Sequence, residues 1–250
     1  MRATARAEER HFWFRGFRWF VQPLIRHALA GVPAARSLDC GCGTGANLAL
    51  LAPFGTAYGF DLSAFGLETA RQAGRRGLVR ASTAAIPFAG DSFDLVTSFD
   101  VLYALDESDE RKAAYELYRI TRPGGCAIVN VAAMDVLRGD HSILSHERRR
   151  YSRRSLARLL TGAGFRIERL TYTNAALFVP MLATRAFHRA RGLAGESDAT
   201  SDITVPAGPV NAALTALLFL ESLWLRAGGV SPFGGSLLCL ARKPEGVIPH

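Results

Sequence analysis

The sequence predicts an α/β fold in which helices cover both faces of a mainly parallel sheet. Short apolar stretches with strand character alternate with amphipathic helical stretches from Arg36 onward. A glycine-rich loop follows the first of these strands, as it does in nucleotide-binding α/β folds. The 250 residues, of which 49% are hydrophobic, are enough to build one large core.

An aromatic-rich segment precedes the alternation. Residues His11–Phe20 read HFWFRGFRWF, which is too crowded with aromatic rings for a solvated tail. We interpret it as a helix packed on the core, as a flap over the mouth of a cofactor site, or as both. The division of the chain is therefore a flap, residues 1–35, followed by a domain, residues 36–250. Met1–Arg10 is charged and has no apolar signal core, so we expect a cytoplasmic protein.

The first strand, Ser37–Cys40, ends in the loop Asp39–Gly45, where three glycines alternate with small residues. Glycines in this pattern allow a tight turn and let a ligand approach the backbone closely. A helix is predicted at Ala46–Ala52, and its N-terminus would attract an anionic group. The loop therefore predicts a site for a nucleotide-like cofactor.

A second strand is predicted at Ala57–Asp61, with Ser63 as the cap of the helix that follows. Asp61 is suitably spaced from the loop to accept hydrogen bonds from ribose hydroxyls. Taken alone, these residues equally allow a nicotinamide-dependent dehydrogenase. The next predicted elements are a short strand at Leu78–Ala81, a strand at Phe93–Ser98, a helix at Glu110–Thr121 closed by Pro123-Gly124-Gly125, and a buried strand at Cys126–Val131.

The last third of the sequence is less regular. It predicts a helix at Tyr151–Gly164 capped by Ser152, and strands at Phe165–Tyr172 and Ser236–Arg242. Between these strands lies an insertion, at about residues 173–235, that is too long for an ordinary connection. It contains two apolar stretches, Ala175–Ala190 and Val210–Leu225, which are interrupted or too short to span a bilayer comfortably. They are interpreted as lid or core helices, as a surface that docks on a membrane, or as a dimer face.

The formal net charge is +8, and nearly all of the basic residues are arginines, since only Lys112 and Lys243 are lysines. No basic stripe interleaved with aromatic residues accompanies this charge, so we expect no nucleic-acid partner. Cys40 and Cys42 have no matching second pair, so we expect no metal site. They are read as packing residues in a reducing compartment.

Four motifs in order, over roughly residues 36–131, resemble the class I S-adenosylmethionine-dependent methyltransferases, in their small-molecule, type 11-like branch. The motifs are the D-x-G-x-G-x-G loop at Asp39–Gly45, the second-strand motif Gly59–Ser63, the stretch Ile86–Val96 that is similar to LPF-x-x-x-SFD-x-V, and the helix and turn Leu117–Gly125. The resemblance implies a Rossmann-like, mostly parallel seven-stranded sheet with helices on both faces and a helical lid insertion between the last two strands. It also implies S-adenosyl-L-methionine as the cofactor.

The resemblance assigns cofactor roles to particular positions. The loop would hold the methionine end of the cofactor, Asp61 the ribose, and Leu62 the adenine. Many relatives have an acidic adenine contact where this chain has Ser82, and Ser82 or a neighbouring backbone N–H would replace it. The implied cofactor-binding residues are Asp39, Gly41, Cys42, Gly43, Gly45, Asp61, Leu62, Ser82 and Thr83, with Phe99 and Asp100 beside the sulfonium.

The acceptor side is less well defined by the sequence. Where many relatives continue with Glu-His, this chain has Tyr103-Ala104, so no base stands there and Tyr103 is left to hydrogen-bond the substrate. The candidate bases are His141 and His146 after the fifth strand, and His11 in the flap. For each histidine, a surface or packing role is the alternative.

These observations predict a methyltransferase that acts on a small or medium hydrophobic acceptor in bacterial secondary metabolism. The residues do not distinguish an oxygen, nitrogen or carbon acceptor. One alternative keeps the cofactor but catalyses a non-methylating step, such as a cyclisation. Another is a non-catalytic protein that binds a membrane or a partner chain. Peripheral membrane contact through residues 175–225, or a homodimer, would occupy the apolar insertion.

Overall fold

The computed structural model describes residues 11–137, 147–178 and 206–246. Its helices and strands are arranged around one seven-stranded sheet. The spatial order of the strands is β3-β2-β1-β4-β5-β7-β6. All neighbouring pairs are parallel except those of β7, which runs antiparallel to both β5 and β6. The predicted mostly parallel sheet of seven strands is confirmed. The strands are β1 (Ala35–Cys40), β2 (Gly55–Asp61), β3 (Leu78–Arg80), β4 (Phe93–Phe99), β5 (Thr121–Ala132), β6 (Arg166–Thr173) and β7 (Ser236–Arg242).

Helices cover both faces of this sheet and produce two apolar cores. The helices are α1 (Phe12–Ala28), α2 (Leu48–Leu51), α3 (Ala64–Gln72), α4 (Glu107–Ile120), α5 (Arg153–Gly162) and α6 (Gly208–Arg226). Alternate residues of a strand point to opposite faces, so Val129 of β5 packs with α4 and α5, whereas Ile128 packs with α1 and α6.

Side-chain caps fix the starts of four helices in the described residues, and the cap of α1 is His11. The Ser63 hydroxyl accepts a hydrogen bond from the Gly66 amide (3.1 Å), and Asp106 accepts one from the Asp109 amide (2.8 Å). Ser152 and Ser155 cap each other reciprocally at the start of α5. The predicted caps Ser63 and Ser152 are confirmed.

Two predicted elements differ from the structure. The helix expected at Ala46–Ala52 is only Leu48–Leu51, and it passes directly into a 3₁₀ turn, Ala52–Phe54, that contains Pro53 near its start. A helix this short provides little dipole for an anion. The turn expected at Pro123–Gly125 lies inside β5, where the pairing with β4 shifts register and the extra residues form an irregularity.

The two helices furthest apart in sequence pack side by side and run in the same direction. The Phe12 amide of α1 donates to the Asn211 side-chain oxygen of α6 (3.0 Å), and this hydrogen bond joins the N-terminal ends of the two helices. Further along, the Trp19 and Phe219 rings lie 5.2 Å apart. Between these contacts, Gly16 allows the close approach, because a Cβ there would lie 2.4 Å from Leu218.

These contacts place α1 in the same core as the sheet. The division at residue 35 between a flap and a domain stays a prediction. Of the predicted insertion, the structure describes residues 173–178 and 206–235, so α6 accounts for the stretch Val210–Leu225, and most of the stretch Ala175–Ala190 lies outside the described residues.

Candidate functional site

The strand order reverses between β1 and β4. From β1 the chain moves outward to β2 and β3, then returns to place β4 on the other side of β1. At such a switch point the connections leave in opposite directions, and a crevice opens at the carboxyl ends of the strands. The loops after β1, β2 and β4 therefore line the same crevice.

The loop after β1 turns sharply beneath this crevice. The amides of Gly41 and Cys42 both donate to the Phe60 carbonyl of β2 (2.9 Å each). Gly41 has φ +77°, and a side chain there would lie 2.3 Å from Val101 in the loop after β4. Gly43 has φ +51° and no atom within 4 Å of where its Cβ would be. The loop thus presents bare backbone to open space.

The Asp61 carboxylate ties this loop to the end of β2. One oxygen accepts a hydrogen bond from the Gly43 amide (2.8 Å), and the other accepts one from the Ser63 amide (2.7 Å). A carboxylate has about four acceptor positions, so both oxygens can still accept hydrogen bonds from hydroxyls. The structure therefore places Asp61 beside the glycine loop, as the sequence predicted.

Asp39 is a buried carboxyl group with an unused oxygen. Its Oδ1 accepts a hydrogen bond from the Thr97 hydroxyl (2.7 Å), whereas Oδ2 has no hydrogen-bond partner in the described part of the chain. Burial raises its pKa to about 7; the Thr97 hydrogen bond opposes the shift, and the nearby Asp61 charge adds to it. An unpaired buried oxygen is unfavourable, so this group suits a ligand that brings a cation.

Two large apolar side chains stand exposed beside the loop. Leu62 is 61% exposed and Phe65, at the start of α3, is 51% exposed. Exposed apolar groups next to an open crevice provide a surface for a flat ring. Leu62 was predicted to take this role, whereas Phe65 was missed; its signal was a large apolar residue two positions after the Ser63 cap.

Ser82 and Thr83 follow β3. The Ser82 hydroxyl accepts a hydrogen bond from the Ala84 amide (3.2 Å) and so shapes its own turn. Thr83 is buried. Their predicted contact with the cofactor stays a prediction.

The residues after β4 form the other wall. The Phe99 ring lies 5.0 Å from Phe17 of α1 and nearly perpendicular to it, so the first helix reaches this end of the crevice. Asp100 adopts φ +60°, an unusual conformation for a residue other than glycine. Asn130 of β5 holds it there: the Asp100 amide donates to the Asn130 carbonyl (3.0 Å), and the Asn130 side-chain amide donates to Oδ1 (3.0 Å).

Asp100 has an environment that favours its neutral form. Its side chain is reached by solvent but is surrounded by protein, and the loss of hydration raises its pKa to about 7. The hydrogen bond from Asn130 opposes the shift, and the Glu147 carboxylate adds to it. Burial raises the pKa of Tyr103 well above its usual range, and the nearby Asp100 and Glu147 carboxyl groups add to that shift. A carboxyl group with such a pKa can hold or release a proton near neutral pH.

Glu147 and Arg150 form a buried ion pair near Asp100. Arg150 donates to the Glu147 carboxylate (3.0 Å) and to the Ala133 carbonyl (2.9 Å) at the end of β5. This pair and Asn130 were missed by the sequence analysis, because nothing in their spacing along the chain marks them as neighbours.

Of the three histidines predicted as bases, His11 falls within the described residues. His11 caps α1, where its Nδ1 accepts a hydrogen bond from the Trp13 amide (3.2 Å), and burial lowers its pKa. His141 and His146 lie outside the described residues. Tyr103 is half-buried near Asp100 and Glu147.

Cys42 packs against Gly59, where a Cβ would lie 2.8 Å from the sulfur. Burial raises the pKa of its thiol to about 12, so the group stays neutral. Among the described residues, no group of three or more histidine, cysteine, aspartate or glutamate side chains could hold a metal ion.

Comparison with known proteins identifies the part of the chain that carries this site. Residues 38–129 match the family described as "Methyltransferase domain". This range contains the glycine loop, Asp61, Ser82, Asp100 and most of β5.

Two curated relatives illustrate the range of acceptors. Demethylmenaquinone methyltransferase of Renibacterium salmoninarum is 34% identical over 119 residues, which cover 45% of this chain and 46% of the relative. Malonyl-[acyl-carrier protein] O-methyltransferase of Enterobacter lignolyticus is 39% identical over 114 residues, covering 44% and 45%. The chain spans about half the length or less of the curated relatives that it matches.

Solved structures share the fold over most of the chain. The [4+2]-cyclase SpnF superposes with a TM-score of 0.58 and 22% identity over 90% of this chain and 80% of its own. An S-adenosylmethionine-dependent methyltransferase from Mesorhizobium loti gives 0.57 and 18%, over 88% and 96%. At these identities the similarity concerns the fold alone.

Proposed function

Because residues 38–129 belong to the class I S-adenosylmethionine-dependent methyltransferases of the type 11 branch, we propose that this protein transfers a methyl group to a small or medium hydrophobic acceptor. S-adenosyl-L-methionine is the cofactor of this domain. The observation that carries the proposal is the unused Oδ2 of the buried Asp39, beside the bare backbone of Gly43.

The residues of the crevice fit this cofactor. Asp39 would pair with its amino group, since a buried carboxyl with an unpaired oxygen gains from a cation. Asp61 would accept hydrogen bonds from the ribose hydroxyls, and Leu62 with Phe65 would contact the adenine. Gly43 leaves the space that the ligand needs. The predicted contacts of Ser82 and Thr83 are retained in this proposal.

The bound cofactor supplies a methyl group activated by a positively charged sulfur. The protein then has to position the acceptor and keep water out, and proximity contributes much of the rate. Phe99 and Phe17 close one side of the crevice with apolar rings. Asp100 takes the proton of an acceptor that must lose one, because its raised pKa suits a base that works near neutral pH.

A hydrophobic acceptor is supported by this aromatic wall. The two relatives act on different acceptors by name, a demethylmenaquinone and a malonyl group on a carrier protein. The acceptor atom therefore stays open between carbon, oxygen and nitrogen. We retain bacterial secondary metabolism and a cytoplasmic location as parts of the proposal. Tyr103 would hydrogen-bond the acceptor, and the roles of His141, His146 and His11 stay predictions.

The cofactor assignment is tested by replacing one glycine. In Gly43→Ala, the new methyl group would occupy the open space in front of the loop, so we expect the affinity for S-adenosylhomocysteine, measured by calorimetry, to fall at least tenfold, about 1.4 kcal/mol. Gly31→Ala is the matched control, because Gly31 also has positive φ and open surroundings but lies before β1, away from the crevice. Equal affinities in the two variants would refute the assignment.

The reaction is tested by mass spectrometry on a panel of hydrophobic acceptors. Methyl transfer predicts a product heavier by one CH₂ unit, with one S-adenosylhomocysteine formed per product. The cyclase among the structural neighbours motivates the second candidate, a non-methylating reaction such as a cyclisation. Product formation that leaves S-adenosylmethionine unconsumed would favour that candidate.

The third candidate is a non-catalytic protein that binds a membrane or a partner chain. It would show cofactor binding without turnover on any acceptor. For the partners, we propose a hydrophobic small molecule and no nucleic acid. The peripheral membrane contact and the homodimer predicted for residues 175–225 compete for the same apolar surface, that of α6.

A further inference from the structure

The helix α6 has its polar side turned inward. Glu221 is buried, and its two oxygens accept hydrogen bonds from the amides of Ala175 (3.0 Å) and Ala176 (3.1 Å). Asn211 accepts the hydrogen bond from Phe12, and Ser222 is 1% exposed. Surface helices of globular proteins normally turn such residues towards water.

The outward side of α6 is apolar along its whole length. The exposed large side chains are Val210, Leu217, Phe219, Leu220, Leu223 and Trp224. The one charged residue in Pro209–Leu225 is the inward-facing Glu221. An apolar area of this kind, uncovered in the described part of the chain, marks an interaction surface.

By length and composition, α6 is the one helix in the described ranges that could cross a membrane. Its contacts argue against that arrangement. It lies along α1 from Phe12 to Trp19, and Arg169 donates a hydrogen bond to the Leu225 carbonyl in its last turn (2.5 Å). A helix held on its polar side and apolar on the other lies in an interface rather than across it.

Arginines border the apolar side. Arg15 lies 5.6 Å from the Trp19 ring, which in turn contacts Phe219 of α6. Arg26 is about three helical turns beyond Arg15 on the same side of α1, and Arg226 is exposed at the end of α6. Together α1 and α6 contain four arginines, the fourth being Arg18, and no exposed carboxylate.

We propose that the outward side of α1 and α6 docks on an anionic lipid bilayer. Leucine and aromatic side chains of α6 would enter the boundary of the acyl chains, and the arginines would contact the head groups. A second copy is disfavoured, because it would bring two arginine-bordered surfaces together in a protein of net charge +8. The inference does not depend on the proposed methyl transfer.

Vesicle flotation tests this surface on the whole chain, residues 1–250. We expect it to float with phosphatidylcholine vesicles that contain about 30 mol% phosphatidylserine and to stay unbound with phosphatidylcholine alone. Raising NaCl from about 0.1 M to about 0.5 M should release most of it. Absence of flotation at the lower salt would overturn the proposal.

Variants separate the apolar from the charged contribution. We expect L220Q/L223Q and R15Q/R26Q each to reduce the ratio of bound to free protein at least fivefold. Y115Q on α4 and R153Q/R154Q on α5 are the controls, because these exposed residues lie on the opposite face of the sheet. Equal losses in variants and controls would contradict the proposed surface.

The same variants also test two other occupants of this surface, a second copy of the protein and another part of the chain. If a second copy covered α6, light scattering of the wild type would give a dimer and L220Q/L223Q a monomer. If another part of the chain covered it, L220Q/L223Q would lower the melting temperature by many degrees. Either result would overturn the proposal, which expects a monomer whose thermal stability is unchanged by these two substitutions.

Discussion

Asp100 combines an unusual backbone conformation with an unusual pKa. Its positive φ is maintained by two hydrogen bonds to Asn130, and its carboxyl group faces the crevice beside Glu147. Residues in rare backbone conformations are often held there by the structure around a functional site. The geometry makes Asp100 the first residue to test on the acceptor side.

For an acceptor that must lose a proton, we expect kcat/KM to rise with pH up to an apparent pKa of about 7. Asp100→Asn should remove this dependence and lower the rate by about 10²-fold or more, because asparagine tolerates the same backbone conformation but cannot take the proton. The measurement is a pH profile of initial rates.

Asp91→Asn is the control for this experiment. Asp91 also has positive φ, but it precedes β4 and so lies at the end of that strand opposite to the crevice, and its carboxylate pairs with Lys243 (2.7 Å). If Asp100→Asn keeps the profile of the wild type, the proposed proton acceptor is wrong. If Asp91→Asn loses it too, the effect is not specific to the crevice.

At this scale, the sequence indicated the cofactor side better than the acceptor side. Asp39 and Asp61 end consecutive strands around a glycine loop, and that local spacing already predicts where they meet. The pKa of Asp100 depends first on the loss of hydration and then on Asn130 and Glu147, which the sheet and the following loop bring beside it. Such a shift has no local signal in a sequence.

Among the elements, the contact between α1 and α6 depends on a single small residue. A Cβ at Gly16 would lie 2.4 Å from Cδ1 and 3.0 Å from Cβ of Leu218, which is fully buried. Alanine normally stabilises a helix by about 0.5–1 kcal/mol relative to glycine. Overpacking a core costs about 1–3 kcal/mol, so here the clash outweighs the gain.

We therefore expect Gly16→Ala to lower the free energy of unfolding by about 1 kcal/mol in a urea titration. Gly162→Ala in α5 is the matched control, since nothing lies within 4 Å of the new methyl group and the helix propensity should then dominate. A stabilised Gly16→Ala protein would mean that α6 does not pack closely on α1.

The predicted order of strands and helices agrees with the structure, because their hydrophobic periods are local. The ends of elements were predicted less well. Pro53 shortens the helix after the glycine loop, and residues Pro123–Gly125, expected as a turn, are part of β5, which pairs with β4. The pairing of α1 with α6 joins segments about 200 residues apart. No local pattern predicts it.

The stability of the whole molecule should depend on pH through two carboxyl groups whose pKa values are strongly raised. Asp39 and Asp100 both have pKa values of about 7 in the folded state, compared with 3.8 as the usual value. Between these values the folded state binds more protons than the unfolded state. The free energy of unfolding therefore falls as pH rises from about 4 to about 7.

We expect Asp39→Asn to remove one part of this dependence. Relative to the wild type, the variant should gain on the order of 2 kcal/mol in unfolding free energy between about pH 5 and pH 7, because asparagine has no charge to bury and keeps an acceptor for Thr97. Denaturation of both proteins across this range is the measurement.

In the difference between variant and wild type, the contributions of groups that titrate independently of Asp39 to the unfolding free energy cancel. The lowered pKa values of Glu116 and Glu168 act below about pH 4, and the lowered pKa of His11 is the same in both proteins. A constant difference between the two proteins across the range would show that Asp39 titrates normally.

The pairing of α1 with α6 also has a consequence for biosynthesis. Phe12 leaves the ribosome 199 residues before its partner Asn211. At a synthesis rate of about 5–20 residues per second, the side of α1 that packs on α6 stays without its partner for about 10–40 s. The nascent chain therefore exposes the side of α1 that packs on α6 for most of its synthesis, and stalled chains that end before residue 208 should bind chaperones more strongly than chains that extend past residue 226.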